Sequence, residues 1–309
     1  MIPYLLFYKI MQLAVIMVFG FALVKLNIVK SSDSTVLSKI SLYLLMPAAI
    51  INAFDVEMTP DIMRGLALAF GAAIAIHVLL MFIDLAYKKL AGGGGVERAS
   101  IIYSNAANLI LPIVAYVLGG EWVIYSCAFM SVQLGFLWTH GIQLFSSEKK
   151  INFKKIFLNI NIIAIAAGIV FMVTGFQLPK FAKELTSSLG NMLGLVAMII
   201  AGMLAAAVDF KKSLTNKRLY LVLIMRLIVC PAAVLVLIKC VLPFVSVVNA
   251  DKVLLVSFLA SITPSAATIM QFAQLHGKDA DFATAINIVT TIGCIVTMPV
   301  FVALYNFKI

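Results

Sequence analysis

Apolar positions gather in long stretches along this chain, separated by short polar segments rather than alternating with them. Such runs fall at 4–26, 36–54, 64–87, 100–118, 122–145, 156–174, 186–207, 218–240, 252–274 and 282–305. Each approaches the about 20 residues of helix needed to cross a hydrocarbon core of about 30 Å. The pattern therefore predicts ten transmembrane helices in a single all-α integral membrane domain. The first run starts next to Met1, with no basic segment before it and no small-residue cleavage site after it. That predicts a retained first helix rather than a signal peptide.

Composition agrees: 63% of the 309 residues are hydrophobic and 12% charged, against about 45–50% and 25% in soluble domains. The lipid bilayer is thus the first partner. A net charge of +10 raises the question of nucleic acid, but the basic residues sit in short segments between runs, not on one polar face, so no nucleic-acid partner is expected. Of the 23 lysines and arginines, 15 lie in the first, third, fifth, seventh and ninth connections, including Lys149, Lys150, Lys154 and Lys155, and seven lie on the opposite side. The positive-inside rule makes the connections with 15 cytoplasmic. This predicts a multi-pass protein of the plasma (inner) membrane with both termini outside. Cys127, Cys230, Cys240 and Cys294 lie in or at the ends of apolar runs without metal-type pairing, and read as small packing residues. No cofactor and no metal is called for.

Three polar or helix-breaking residues stand out in "SNAANLILPIVAYV", Ser104 to Val117: Asn105, Asn108 and Pro112. An interior proline costs a helix about 3 kcal/mol or more. Its counterpart is Pro264 in "ASITPSAAT", 152 residues later. Two halves of five helices each, 1–146 and 152–309, must enter the membrane from opposite sides, so the echo predicts inverted repeats with broken helices 4 and 9 that meet near the midplane. The N-termini of such half-helices present free N–H groups and a positive dipole end to an anion. Asn105 and Asn108 lie one turn apart on one face, placed before a break at Pro112. Ser261, Thr263 and Ser265 flank the other break. Two readings stay open for these side chains: contact with a carboxylate, or hydrogen bonds that only join helices.

The remaining ionisable residues within runs are candidates because charge at depth is costly. His77 and Asp84 share roughly one face of helix 3 and are candidates for proton coupling; His140 falls late in helix 5. None has the spacing of a zinc or nucleophile motif, so no enzyme is expected. "AGGGGVER" lacks the Gly-Lys-Ser/Thr of a phosphate loop and reads as a flexible turn. Arg226 lies about 12 Å into helix 8 at 1.5 Å per residue. It either snorkels to the headgroups or serves as a fixed counter-charge for an anion. The interiors of helices 4, 5, 9 and 10 hold amides and hydroxyls such as Gln133, Asn287, Thr290 and Thr291 but no carboxylate. Proton coupling is therefore favoured over Na+, beside potential-driven uniport or exchange.

Four stretches resemble the auxin efflux carrier family, which includes bacterial malate and malonate permeases within the bile acid/sodium symporter superfamily. They are "LYLLMPAAIINAF" (42–54), "NAANLILPIVAYVLGGE" (105–121), "RLIVCP" (226–231) and "SITPSAATIMQFAQLHGKDADFA" (261–283). The resemblance implies crossed five-helix repeats, with helices 1, 2, 6 and 7 as scaffold and helices 3–5 and 8–10 as transport domain. It also implies carboxylate substrates gripped at the crossing, and it adds Asn52, five positions beyond Pro47, to the site. "LGNMLGLVAMIIAG" (189–202) departs from the family in lacking a proline near its middle. The expected function is secondary transport of a small carboxylate by elevator-like alternating access. The alternative is a non-transporting sensor or scaffold that binds one. The assembly is left open, a homodimer included.

Overall fold

A computed structural model describes residues 2–55, 59–145, 158–208 and 210–307, and every named element among them is helical. In chain order these are α1 (Ile2–Lys25), α2 (Ser31–Ala53), α3 (Pro60–Ala91), α4a (Gly95–Ile102), α4b (Ala106–Val117), α5 (Gly120–Phe145), α6 (Ile160–Thr174), α7 (Lys180–Ala205), α8 (Lys217–Phe244), α9a (Ala250–Ser261), α9b (Thr268–Leu275) and α10 (Ala280–Asn306), with a short helix Phe210–Thr215 before α8. Seven of them (α1, α2, α3, α5, α7, α8 and α10) are long and apolar enough to cross a membrane. The expected sixth run yields the shorter α6, and the expected fourth and ninth runs are each split in two. The basic segment "EKKINFKK" (148–155), on which the expected orientation leans, lies outside the described residues, as does the side chain of Asn108.

Local chemistry sets the helix ends. Thr59 Oγ1 accepts from Ile62 N at 3.2 Å with Pro60 opening α3, a proline position that costs no intrahelical bond. Gly92 closes the same helix at φ 65, a left-handed cap that suits glycine. Inside three helices the hydrogen bonding widens to a π turn, at Ser41–Leu45, Leu137–Gly141 and Met225–Val229. Two of these directly precede Met46-Pro47 and Cys230-Pro231. A proline ring cannot donate to, and clashes with, the carbonyl four residues back, and a wider turn accommodates it. At the third, Tyr103 Oη and Thr139 Oγ1 donate to the carbonyls of Phe136 and Gly135 at 2.9 and 2.8 Å, which draws those acceptors away from the regular ladder.

The helices α1 and α7 pack backbone to backbone. A methyl group at Gly202 would lie 1.9 Å from the Met17 carbonyl oxygen, and one at Gly20 would lie 2.3 Å from that of Ile199. Small residues let membrane helices approach backbone to backbone in this way. The helix α7 also packs on α2, and α6 on α2, while α3 packs on α5 and α9a. From Val253 to Ser261 every residue of α9a is buried, so the interrupted helices lie inside the bundle. Large apolar side chains on α1, among them Tyr4, Val18 and Phe19, are exposed on the outside, where lipid replaces water as solvent.

Candidate functional site

The backbone between α4a and α4b, Tyr103 to Asn105, crosses that between α9a and α9b. Asn105 N donates to Pro264 O at 2.7 Å and Ala266 N to Tyr103 O at 3.0 Å, which makes Ser104 and Ser265 an antiparallel pair. Each serine is then held by a neighbouring helix. Gln133 of α5 accepts from Ser104 N and Oγ at 3.2 and 2.6 Å and donates to Ser104 O at 2.8 Å. Asn287 of α10 donates to Ser265 O at 2.5 Å, and Thr290 Oγ1 accepts from Ser265 N at 3.1 Å. Open backbone at membrane depth is tolerated only where protein or water satisfies it, and these side chains do so.

Four half-helix ends therefore meet, and they differ in sign. Toward the C-terminal ends of α4a and α9a points Arg226, 1% exposed. Its Nη1 donates to Ile101 O and Ile102 O at 3.0 and 3.5 Å, and its Nη2 to Ser261 O and Thr263 O at 2.7 and 2.6 Å. The thiol of Cys294 faces Ile262 O at 3.5 Å. The carbonyls that a helix leaves unpaired at its C-terminus are thus met by a permanent cation. Arg226 does not snorkel to the headgroups.

The N-terminal ends of α4b and α9b face a cavity of about 660 Å³ lined by Asn105, Ala267, Thr268 and Asn287 on this side, and by Ser41 and Ala201 on the other. It extends to Ser38 near the start of α2, Leu158 just before α6 and Leu204 at the end of α7, next to the expected first, fifth and seventh connections. All the lining side chains among the described residues are uncharged. The first N–H groups of a helix have no intrahelical acceptor, so two positive dipole ends confront one neutral, partly polar chamber. The π turns of α2 and α5 both line it, through Ser41, Tyr43, Leu137 and Trp138.

The expected site residues fall into three groups. Asn105, Ser261, Thr263, Pro264, Ser265 and Arg226 come together at the crossing. Of these, only Asn105 lines the cavity; the hydroxyls of Ser261 and Thr263 donate back to Phe258 O and Ala260 O. Pro112 corrects the expected position of the first break. It lies inside the continuous helix α4b, where one missing N–H forfeits a single bond, and its ring packs against Gly194 of α7, at which a methyl would meet Pro112 Cγ at 2.8 Å. The interruption falls eight residues earlier, at Ser104, because that is where Gln133 and Pro264 supply partners. Asn105 and Asn108 consequently follow the break instead of preceding it. Asn52 is half-buried near the end of α2 and does not line the cavity.

Of the proton-coupling candidates, Asp84 is locked to Arg98 by Nε at 3.0 and 3.1 Å and Nη2 at 2.5 Å. Beside that pair, Glu97 accepts from Tyr87 Oη at 2.5 Å and from Arg218 Nη1 at 3.1 and 3.2 Å. His77 is fully buried between Phe129 and Phe136 at ring distances of 5.0 and 5.4 Å. Its Nδ1 lies 2.7 Å from Ala73 O; a carbonyl only accepts, so Nδ1 carries the proton, and the bare Nε2 has no hydrogen-bond partner among the described residues. Gln133 and Asn287 act at the crossing as clamps of backbone, a role their span positions alone did not reveal. A polar residue in α5 or α10 within reach of a break was the available signal.

This geometry of crossed, interrupted helices beside a chamber meets a second observation: a family model described as membrane transport protein, auxin efflux carrier-like, matches residues 5–302. The chain belongs to the membrane transport protein family. No curated protein matches it. Membership in this membrane transport family, with seven apolar helices of spanning length, makes it a membrane-embedded, multi-pass protein of transporter type.

Proposed function

We propose that this chain is a secondary transporter of small organic anions, mono- or dicarboxylates such as malate or malonate, working by elevator-like alternating access in the plasma membrane with both termini outside. The observation that carries the reading is the polarity of the crossing: two helix N-termini and Asn105 face the cavity, while Arg226 neutralises the two C-terminal ends behind it. A carboxylate in the chamber would meet N–H groups and positive dipole ends. Ten crossings arranged as two inverted repeats, as in the bile acid/sodium symporter superfamily, are supported by the paired clamps, Gln133 on Ser104 and Asn287 on Ser265. Helices α1, α2, α6 and α7 would form the scaffold, and the others the moving part. The cavity opens toward the connections that hold most of the basic residues, which fits an inward-open state. For coupling, His77 keeps an Nε2 without a hydrogen-bond partner among the described residues, whereas Asp84 is engaged by Arg98.

The test is uptake of labelled malate, malonate and monocarboxylates into proteoliposomes with and without pH and Na+ gradients. Uptake of at least one, weakened about ten- to a hundredfold in affinity by Asn105→Ala, is expected, as a hydrogen bond to a charged group is worth about 1.5–3 kcal/mol. Binding without flux for every compound would turn the reading to a sensor. Full activity of Asn105→Ala would move the site elsewhere.

A further inference from the structure

Helix C-termini that meet in the membrane need positive charge. Each carries about half a negative elementary charge, and unwound carbonyls at such ends are where secondary transporters coordinate a coupling cation. In this chain the oxygens of Ile101, Ile102, Ser261 and Thr263, drawn from two separate helix ends, converge on one group, the guanidinium of Arg226. All its hydrogen-bond partners among the described residues are backbone carbonyls, and its side chain is 1% exposed. Its surroundings are thus those of an alkali cation held by hard oxygen ligands, not those of an ion pair. The π turn at Met225–Val229 and the following Cys230-Pro231 hold the arginine on the inner face of α8.

We propose that Arg226 is a resident cation. It occupies the place between the ends of α4a and α9a that a bound sodium ion would otherwise take, so the crossing assembles without any metal ion. Removing its side chain opens a site for a monovalent cation, formed by the same four carbonyls. As a statement about coupling this rests on the transport reading above; as a statement about cation binding it does not, and the test reads binding.

The purified full-length protein, Arg226→Ala and Arg226→Lys are melted in detergent in choline, sodium, potassium or dilute guanidinium chloride at equal ionic strength, and binding of labelled sodium is measured. The wild type is expected to melt at one temperature in all four salts and to bind no sodium. Arg226→Ala should melt lower in choline, recover most of the difference in sodium or guanidinium, and bind sodium. Arg226→Lys keeps a charge but reaches fewer carbonyls, so it should melt below wild type and respond to no salt. A wild type stabilised by sodium would overturn the proposal, as would an Arg226→Ala protein indifferent to every cation. Should Arg226→Ala fail to fold even in guanidinium, Arg226→Lys decides alone: melting like wild type, or a response to sodium, overturns it. Failure of carboxylate uptake leaves these readouts untouched.

Discussion

Ser104 N, O and Oγ all bond to one side chain, the amide of Gln133, which both accepts and donates. An apolar residue there would leave three buried polar groups unsatisfied, each at about 1–3 kcal/mol. Gln133→Leu should therefore lower the melting temperature strongly and abolish carboxylate uptake, since Asn105 follows Ser104 directly. Gln133→Glu separates geometry from mere stability. Only a protonated carboxyl can donate to the Ser104 carbonyl, so this variant should regain melting temperature and uptake as the pH falls. Uptake of Gln133→Glu that is best at high pH would show that the amide's donor role is not needed.

Between elements, close approach of backbones is a second determinant beside the polar contacts. Gly202→Ala would press a methyl into the backbone of α1 at 1.9 Å from Met17 O, and overpacking of this kind costs about 1–3 kcal/mol. A methyl added at Gly71 would meet nothing within 4 Å, so Gly71→Ala is the control and should be neutral or slightly stabilising. Equal melting temperatures for the two variants would show that α1 and α7 yield easily. Pro112→Ala tests the corrected break. With the proline inside a continuous helix, its loss returns one backbone donor and leaves a small gap at Gly194, so stability should change by about 1 kcal/mol or less and carboxylate affinity should hold. Loss of substrate binding in Pro112→Ala would restore that proline to the site.

Across the whole molecule, the cavity runs from the crossing at Asn105 to Ser38, Leu158 and Leu204. Ala201 of α7 lines it, half-buried, so in a background lacking the native cysteines Ala201→Cys should react with an impermeant thiol reagent in inverted vesicles. A transported carboxylate should slow that reaction. A cysteine placed in 148–155 should stay unlabelled in intact cells, as expected for a cytoplasmic connection. Labelling of both positions only from outside would invert the orientation. A chamber of about 660 Å³ lies within the about 300–1,000 Å³ of small-molecule sites, and a large lipid-like ligand would have to extend out of it.

The sequence by itself determined that this chain is a helical membrane protein, where most of its helices run, and that Pro264 lies in an interruption. Those are local properties: an apolar run of sufficient length must satisfy its backbone within itself, and a proline weakens the turn it occupies. That Asn105 lies beside an interruption was legible too, since a polar amide at depth is costly to leave unsatisfied, though not that it follows the break. Tertiary structure alone decided where the first break falls, because a break settles where distant groups can satisfy the freed backbone, and Gln133 and Pro264 do so at Ser104, eight residues before Pro112. It also decided the role of Arg226, whose carbonyl partners lie 35 to 125 residues away along the chain. A buried charge is defined by its neighbours, and these come together only when the two interrupted helices cross.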